Sequence, residues 1–188
     1  MLLPYEQAFN RIRAEYVEMP GMQLTPEQVE RLCGVNAAVY ATRRRESFEA
    51  AALLGVGQLR DLSIDALPHI AALPPVLARR ARHIVIENQR VIDGVAALGA
   101  GDAAALGALF NASHASMRDD YQTSIPDIDA LVACGQADPA VYGARLTGGG
   151  FGGAVVMLAH AGRGSGAATR VLAAYEARTG RRGTILLS

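Results

Sequence analysis

An α+β fold, with a run of helices ahead of a small antiparallel sheet, is what the 188-residue sequence predicts. Three observations carry that reading. Apolar residues recur at steps of three, four and seven through Leu77, Ala81, Ile84, Val91 and Val95, the period of a long helix with one buried face. The short strand-like segments VYGARLT and AVVMLAH flank a glycine-rich stretch. After them come the amphipathic SGAATRVLAAYEARTG, with Val171, Leu172 and Tyr175 on its apolar side, and a closing GTILLS that reads as a strand. Helix, strand, loop, strand, helix, strand is a split βαβ sandwich whose first strand lies elsewhere.

The elements follow in order. In LTPEQVERLCGVN, Thr25 is an N-cap, Pro26 takes the first helical position, Gln28 completes a capping box and Gly34 stops a short helix. AAVYATRRRESFEAAALLG restarts a helix that ends near Gly55, with Val39, Phe48 and Leu53 among its apolar residues. Gly57 to Pro75 is broken by turn residues and prolines. PPVLARRARHIVIENQRVIDGVAALGAGD is the longest helix, and Gly101 ends it. Asp102 caps the next, AAALGALFNASHASMRDDY. SIPDIDALVACG reads as a helix boxed by Ser124 and Asp127 and ended by Gly135, AGRGSGAA reads as a surface loop, and Gly180 stops the last helix.

Composition narrows the function. The chain is 51% hydrophobic and 19% charged with zero formal net charge, so neither a basic groove for phosphates nor a polybasic membrane patch is indicated. Every basic residue is arginine, which removes the lysine a P-loop requires. Cys33 and Cys134 lie far apart with no CxxC pairing, the pattern of reduced core thiols. No signal peptide or membrane-length apolar run is legible, and the expected location is cytoplasmic.

GGGFGG, residues 148–153, places five glycines in six positions around one phenylalanine. A Walker loop and a Rossmann fingerprint both open a helix, whereas AVVMLAH is strand-like, so neither fits. The plain reading is a mobile β-hairpin. Yet each glycine beyond the one or two a hairpin needs costs about 0.5–1 kcal/mol of chain entropy. Bare backbone that another segment or a ligand approaches closely, or amides forming an anion nest, would account for them.

Four segments carry a family resemblance. YGARLTGGGFGGAVVML resembles the third conserved motif of the galactokinase branch of the GHMP small-molecule kinases. NASHASMRDDYQTSIPDIDALV is similar to that branch's N-x-S-H-x-S-x-R-D-x-Y segment with its following S-x-P-x-x-D, RRARHIVIENQRV to its RRARHV-x-x-E-N-x-RV helix, and YATRRRESFEAA to the segment that opens on a tyrosine. They stand in the family's order from about Tyr40 to the C-terminus, residues 39–188. Ser47 and Ala154 stand where the family usually has cysteine.

The resemblance implies a C-terminal domain of the GHMP kinase type, with helices packed on a small antiparallel ferredoxin-like sheet. It implies that Thr147, Gly148, Gly149, Gly150, Phe151, Gly152 and Gly153 support the nucleotide-binding loop of an N-terminal domain, and that Tyr40 hydrogen-bonds the sugar. Tyr40 reads equally as a helix tyrosine at the edge of the core. Among the remaining polar residues, Arg118, Asp119 and Asp120 read as a helix-end ion-pair network in preference to an acid/base cluster. His114, near Ser113 and Ser116, reads as a structural histidine, and Glu87 and Asn88 as interhelical hydrogen-bonding groups.

The parent reaction that the resemblance implies is ATP-dependent phosphorylation of galactose at its anomeric hydroxyl, with magnesium. The family's sugar signature ending in G-E-H-x-D-Y, its P-x-G-x-G-L-S-S-S phosphate loop and its catalytic aspartate find no match here. No catalytic residue and no metal ligand is therefore assigned, and neither ATP nor magnesium is expected to bind this chain tightly alone. A complementary galactokinase N-terminal half is the expected partner, with galactose and ATP by analogy.

Residues 1–38 do not match the family and are expected to be a helical appendage. A second reading takes residues 25–45 as a helix-turn-helix, with Arg43, Arg44 and Arg45 on DNA phosphates, in a non-catalytic regulatory or interaction protein. The zero net charge counts against it, and nucleic acid is not the expected partner.

Overall fold

The computed structural model describes residues 37–186 of the chain. Residues 1–36 of the appendage, with the capped helix at Thr25, therefore fall outside the described residues. Among the described residues six α-helices pack with one two-stranded antiparallel sheet, an α+β architecture.

Helix α1, Ala37–Leu53, runs into a segment of two 3₁₀ turns and the short α2, Leu67–Ala71. Leu73-Pro74-Pro75 then starts α3, Pro75–Gly99, where Pro75 loses nothing at a first-turn position without an acceptor. The periodic face of α3 is inward: Leu77 and Ala81 are buried, joined by Val85, which the spacing does not single out. These close a first core with Ala50, Ala51, Leu59 and Ile70. Val39, Phe48 and Leu53, expected among the apolar residues of α1, are exposed. The helix instead buries Ala50 and Ala51, small side chains that let α3 approach closely.

Asp102 caps α4, Ala103–Ser116, and its carboxylate accepts from the Ala105 amide at 2.9 Å, as the sequence predicts. Met117–Tyr121 continues α4 as one π turn and ends at Gln122, which adopts left-handed backbone with φ 56°. Helix α5, Pro126–Ala137, departs from expectation at both ends. Ile125 holds the N-cap position without a side-chain cap, and Ser124 Oγ donates to Asp129 Oδ1 at 2.6 Å, so the Ser124–Asp127 box does not form. Gly135 does not stop the helix; a Cβ there would lie 3.0 Å from Met157 Sδ and 3.1 Å from Ala144 Cβ, so the glycine lets α5 press onto the sheet.

Strands β1, Val141–Thr147, and β2, Ala154–Ala159, form a hairpin in which Thr147 faces Ala154 and Val141 faces Ala159. A bulge lies between Val141 and Gly143. Here α4 comes closest: a Cβ on Gly143 would fall 2.0 Å from the Gly107 carbonyl oxygen, and one on Gly107 would fall 2.5 Å from Tyr142 backbone atoms. Met117, Ile128, Val132, Ala144 and Leu146 make a second core beneath the hairpin.

Helix α6, Gly164–Thr179, buries Val171 and Tyr175 of its expected apolar side together with Ala167, leaves Leu172 half-buried, and ends on left-handed Gly180 as read from the sequence. It takes in the second half of the stretch expected to be a loop. Residues 181–186 form no strand, so the expected third strand at GTILLS is absent from the described residues. Leu186 is exposed. No helix of the described residues is long and apolar enough to cross a membrane.

Candidate functional site

The glycine stretch is the β1–β2 connection, and its backbone explains its composition. Gly148, Gly150, Gly152 and Gly153 have φ of 87°, 83°, 136° and 94°, a region that side chains resist; Phe151 enters it at 60°. At Gly150 space is a second reason. A Cβ there would lie 2.6 Å from Thr123 Cβ and 2.7 Å from the Thr123 carbonyl oxygen, which accepts the Phe151 amide at 2.5 Å. The hairpin that reads as mobile from the sequence is docked on Thr123. Its other end is open: Thr147, Gly148 and Gly149 are exposed, and a Cβ on Gly148 would meet nothing within 4 Å. Among the described residues no atom fills the space over Gly148, and exposed backbone amides of this kind can take an anion.

Thr123 is fixed from below. Its amide donates to Met117 O at 3.0 Å, and the preceding Gln122 accepts from Arg80 Nη2 at 2.8 Å. Arg80 is 1% exposed and uses the rest of its guanidinium on Glu46 Oε2, 2.6 Å from Nε, and on the Asp120 carbonyl. Burial raises the Glu46 pKa, but the bonds and charges of Arg80 and Arg43 outweigh it and hold the carboxyl below its ordinary range. Glu46 stands on α1, Arg80 on α3 and Gln122 beyond α4, so one buried arginine ties together three of the four motif segments.

Around it lies an ion-pair network, as the sequence favours for Arg118, Asp119 and Asp120. Arg118 pairs with Asp119 at 2.8 Å, while the Asp120 carboxylate meets Arg82 and Ser116 Oγ. His83 Nδ1 bonds Ser116 Oγ at 2.9 Å and its ring stacks on Tyr121 with centroids 4.5 Å apart. Burial, reinforced by the Arg90 charge, pushes the His83 pKa down to about 3, so the ring is neutral.

His114 behaves as the structural histidine expected. Its Nδ1 accepts from the Leu146 amide at 3.3 Å, which leaves the proton of a neutral ring on Nε2. Nε2 lies 3.2 Å from Asp129 Oδ1 without the alignment of a hydrogen bond. Burial lowers the His114 pKa against the opposing pull of Asp129. Glu87 makes the interhelical bond expected of it, from Ser113 Oγ at 2.7 Å; Asn88 reaches Arg60 O in a 3₁₀ turn at 3.5 Å instead of a helix.

Tyr40 lies on α1, and its side chain is outside the described residues. Ser47 turns back to Arg43 O at 2.9 Å, and Ala154 opens β2. Among the described residues no group of three His, Cys, Asp or Glu side chains converges to hold a metal. Sequence reasoning missed Arg80, Glu46, Gln122 and Thr123. Arg80 borders the apolar stripe at Ala81, yet no periodicity separates it from exposed Arg82; left-handed Gln122 and Thr123 carry no local signal at all.

Residues 95–177 match the family model described as GHMP kinases C terminal. Residues 95–177 are a GHMP kinase C-terminal domain. Within that family its similarity is to galactokinases: 47% identity to the galactokinase of Roseiflexus sp. (strain RS-1) over 155 residues, covering 79% of this chain and 40% of the relative. The Haemophilus influenzae (strain Rd) galactokinase is 50% identical over 64% of this chain and 33% of its own length, and that of Bos taurus 44% identical over 68% and 33%. The solved structure of Lactococcus lactis galactokinase complexed with galactose superposes with a TM-score of 0.71 at 34% identity, covering 76% of this chain and 38% of that one. The chain thus spans 40% or less of each of these relatives.

Proposed function

We propose that residues 39–188 are the C-terminal portion of a galactokinase-type sugar kinase, whose whole reaction is transfer of the ATP γ-phosphoryl group to the anomeric hydroxyl of galactose. The observation that carries this is the glycine loop, docked at Gly150 on Thr123 and open at Gly148 and Gly149, in a chain similar to galactokinases along this stretch. In this reading residues 147–153 offer backbone amides and closely packed backbone to the nucleotide side, and Tyr40 on α1 offers its hydroxyl to the sugar. Phosphoryl transfer depends on positioning and on charge stabilisation by a phosphate loop, metal ligands and a base. Those groups come from an N-terminal galactokinase domain, so residues 39–188 alone do not turn over. ATP and magnesium are the cofactors of the complete site, and the cytoplasm its location.

The helix-turn-helix reading loses two of its three arginines: Arg43 turns to Glu46 at 3.1 Å, and the Arg44 guanidinium sits 5.5 Å over the Phe48 ring. The test mixes the full chain with a separately expressed galactokinase N-terminal half, ATP, magnesium and galactose, and identifies the product by phosphorus NMR. A sugar 1-phosphate formed only in the mixture supports the proposal. No product in a mixture of two folded halves refutes it.

A further inference from the structure

We propose that Arg80 is a positioning residue that sets the glycine loop relative to helix α1, through Gln122 and Thr123. The path is continuous: Glu46 on α1 accepts from Arg80 Nε at 2.6 Å, and Arg80 Nη2 donates to Gln122 Oε1 at 2.8 Å. Gln122 is one of two described non-glycine residues with positive φ. The residue it turns, Thr123, fills the space over Gly150 and takes the Phe151 amide; Phe151 is the other. Left-handed backbone at a residue with a side chain persists when its surroundings hold it there. Here the holder is a buried guanidinium, whose forked donors fix both partners at once in a way a lysine ammonium cannot.

This inference rests on the proposed function for its meaning, since α1 carries Tyr40 on the sugar side and the loop belongs to the nucleotide side. Arg80 then spaces the two substrates without touching either.

The test is amide hydrogen exchange on the full chain and its Q122G and R80K variants. Gln122→Gly removes the carboxamide that Arg80 holds and also frees the backbone at residue 122, which Arg80→Lys leaves as it is, so the two variants together isolate the tether. Arg80→Lys keeps the charge beside Glu46 and removes the fork. Both should speed exchange of the Phe151 amide about tenfold, the weight of one hydrogen bond to a charged group, while the Val132 amide in the second core keeps its protection. Unchanged exchange at Phe151 in Q122G overturns the proposal. So does an equal rise at Phe151 and Val132, which marks general loosening. Should R80K fail to fold, Gln122→Ala, which removes the carboxamide and keeps a side chain on the backbone, takes its place, because residue 122 is exposed. In mixtures with the N-terminal half, kcat should fall tenfold in Q122G, and rescue by Gln122→Asn should be incomplete because its shorter chain stops short of Arg80. Exchange needs no turnover. A wild-type mixture without product therefore sinks the kinase reading, and the Phe151 result still decides the coupling.

Discussion

Arg80 Nε donates to Glu46 Oε2 at 2.6 Å across 34 residues of sequence, from a side chain only 1% exposed. A charge so deeply placed is tolerated because each donor group has a partner, and removing one partner leaves an uncompensated ion in the core. Glu46→Ala should therefore cost about 2–4 kcal/mol, somewhat under the usual figure for a fully buried pair because Glu46 is partly exposed. Thermal unfolding would show it as a drop of roughly 5–15 °C for a domain of this size. The double variant E46L/R80M should recover much of that loss, since apolar side chains of similar volume need no partner.

The two ends of the glycine loop should respond unequally to the same substitution. Gly148→Ala meets only the strain of positive φ, about 1 kcal/mol. Gly150→Ala adds a Cβ 2.6 Å from Thr123 Cβ, and should cost about 2–3 kcal/mol or expel the loop from its dock. Denaturant midpoints of the two variants rank them; equal costs would mean that Thr123 does not hold the loop.

How far the sequence reaches is clear from this contrast. Helix spans, the Asp102 cap, the Gly180 stop and the hairpin are legible because they follow from period, capping and turn chemistry, all local. That GGGFGG needs its glycines is legible too. That Gly150 needs its glycine because of Thr123 is not, since the partner lies 27 positions away and nothing in threonine announces it. Gly135 misleads for the same reason: local rules make it a stop, while packing against Ala144 and Met157 makes it a contact. The GTILLS expectation fails because β-propensity in a six-residue segment does not supply a neighbouring strand edge to pair with. Arg80 stays hidden because arginine is ordinarily an exposed residue, and its burial is bought only by groups that folding brings from two other elements.

Acid should weaken the fold before its carboxylates titrate. His83 has its folded pKa depressed from 6.5 to about 3, so the folded ring binds fewer protons than the unfolded one. Its contribution is complete above pH 6.5 and is lost as pH falls from there toward 3, at up to about 1.4 kcal/mol per pH unit. Burial lowers His114 as well, in the same direction. His83→Asn keeps a hydrogen-bonding group near Ser116 without the titration. Stability of H83N measured from pH 7 to pH 4.5 should fall more gently than wild type; parallel curves would show that His83 is not buried neutral.

His114 should be replaceable by asparagine more cheaply than by leucine. Asparagine can still accept the Leu146 amide, whereas leucine leaves that buried donor unpaired at a cost of about 1–3 kcal/mol. Urea unfolding of H114N and H114L gives the difference directly. If leucine is the more stable, the Nδ1 bond is not what keeps the histidine there.

The most direct measurement of the central claim is galactose-dependent ADP release by the full chain mixed with a galactokinase N-terminal half, with each half alone as reference. The proposed function predicts release in the mixture well above the sum of the halves, lost on removing galactose or magnesium. Release no greater than that sum, from halves shown to be folded, would contradict the claim that this domain completes a kinase site.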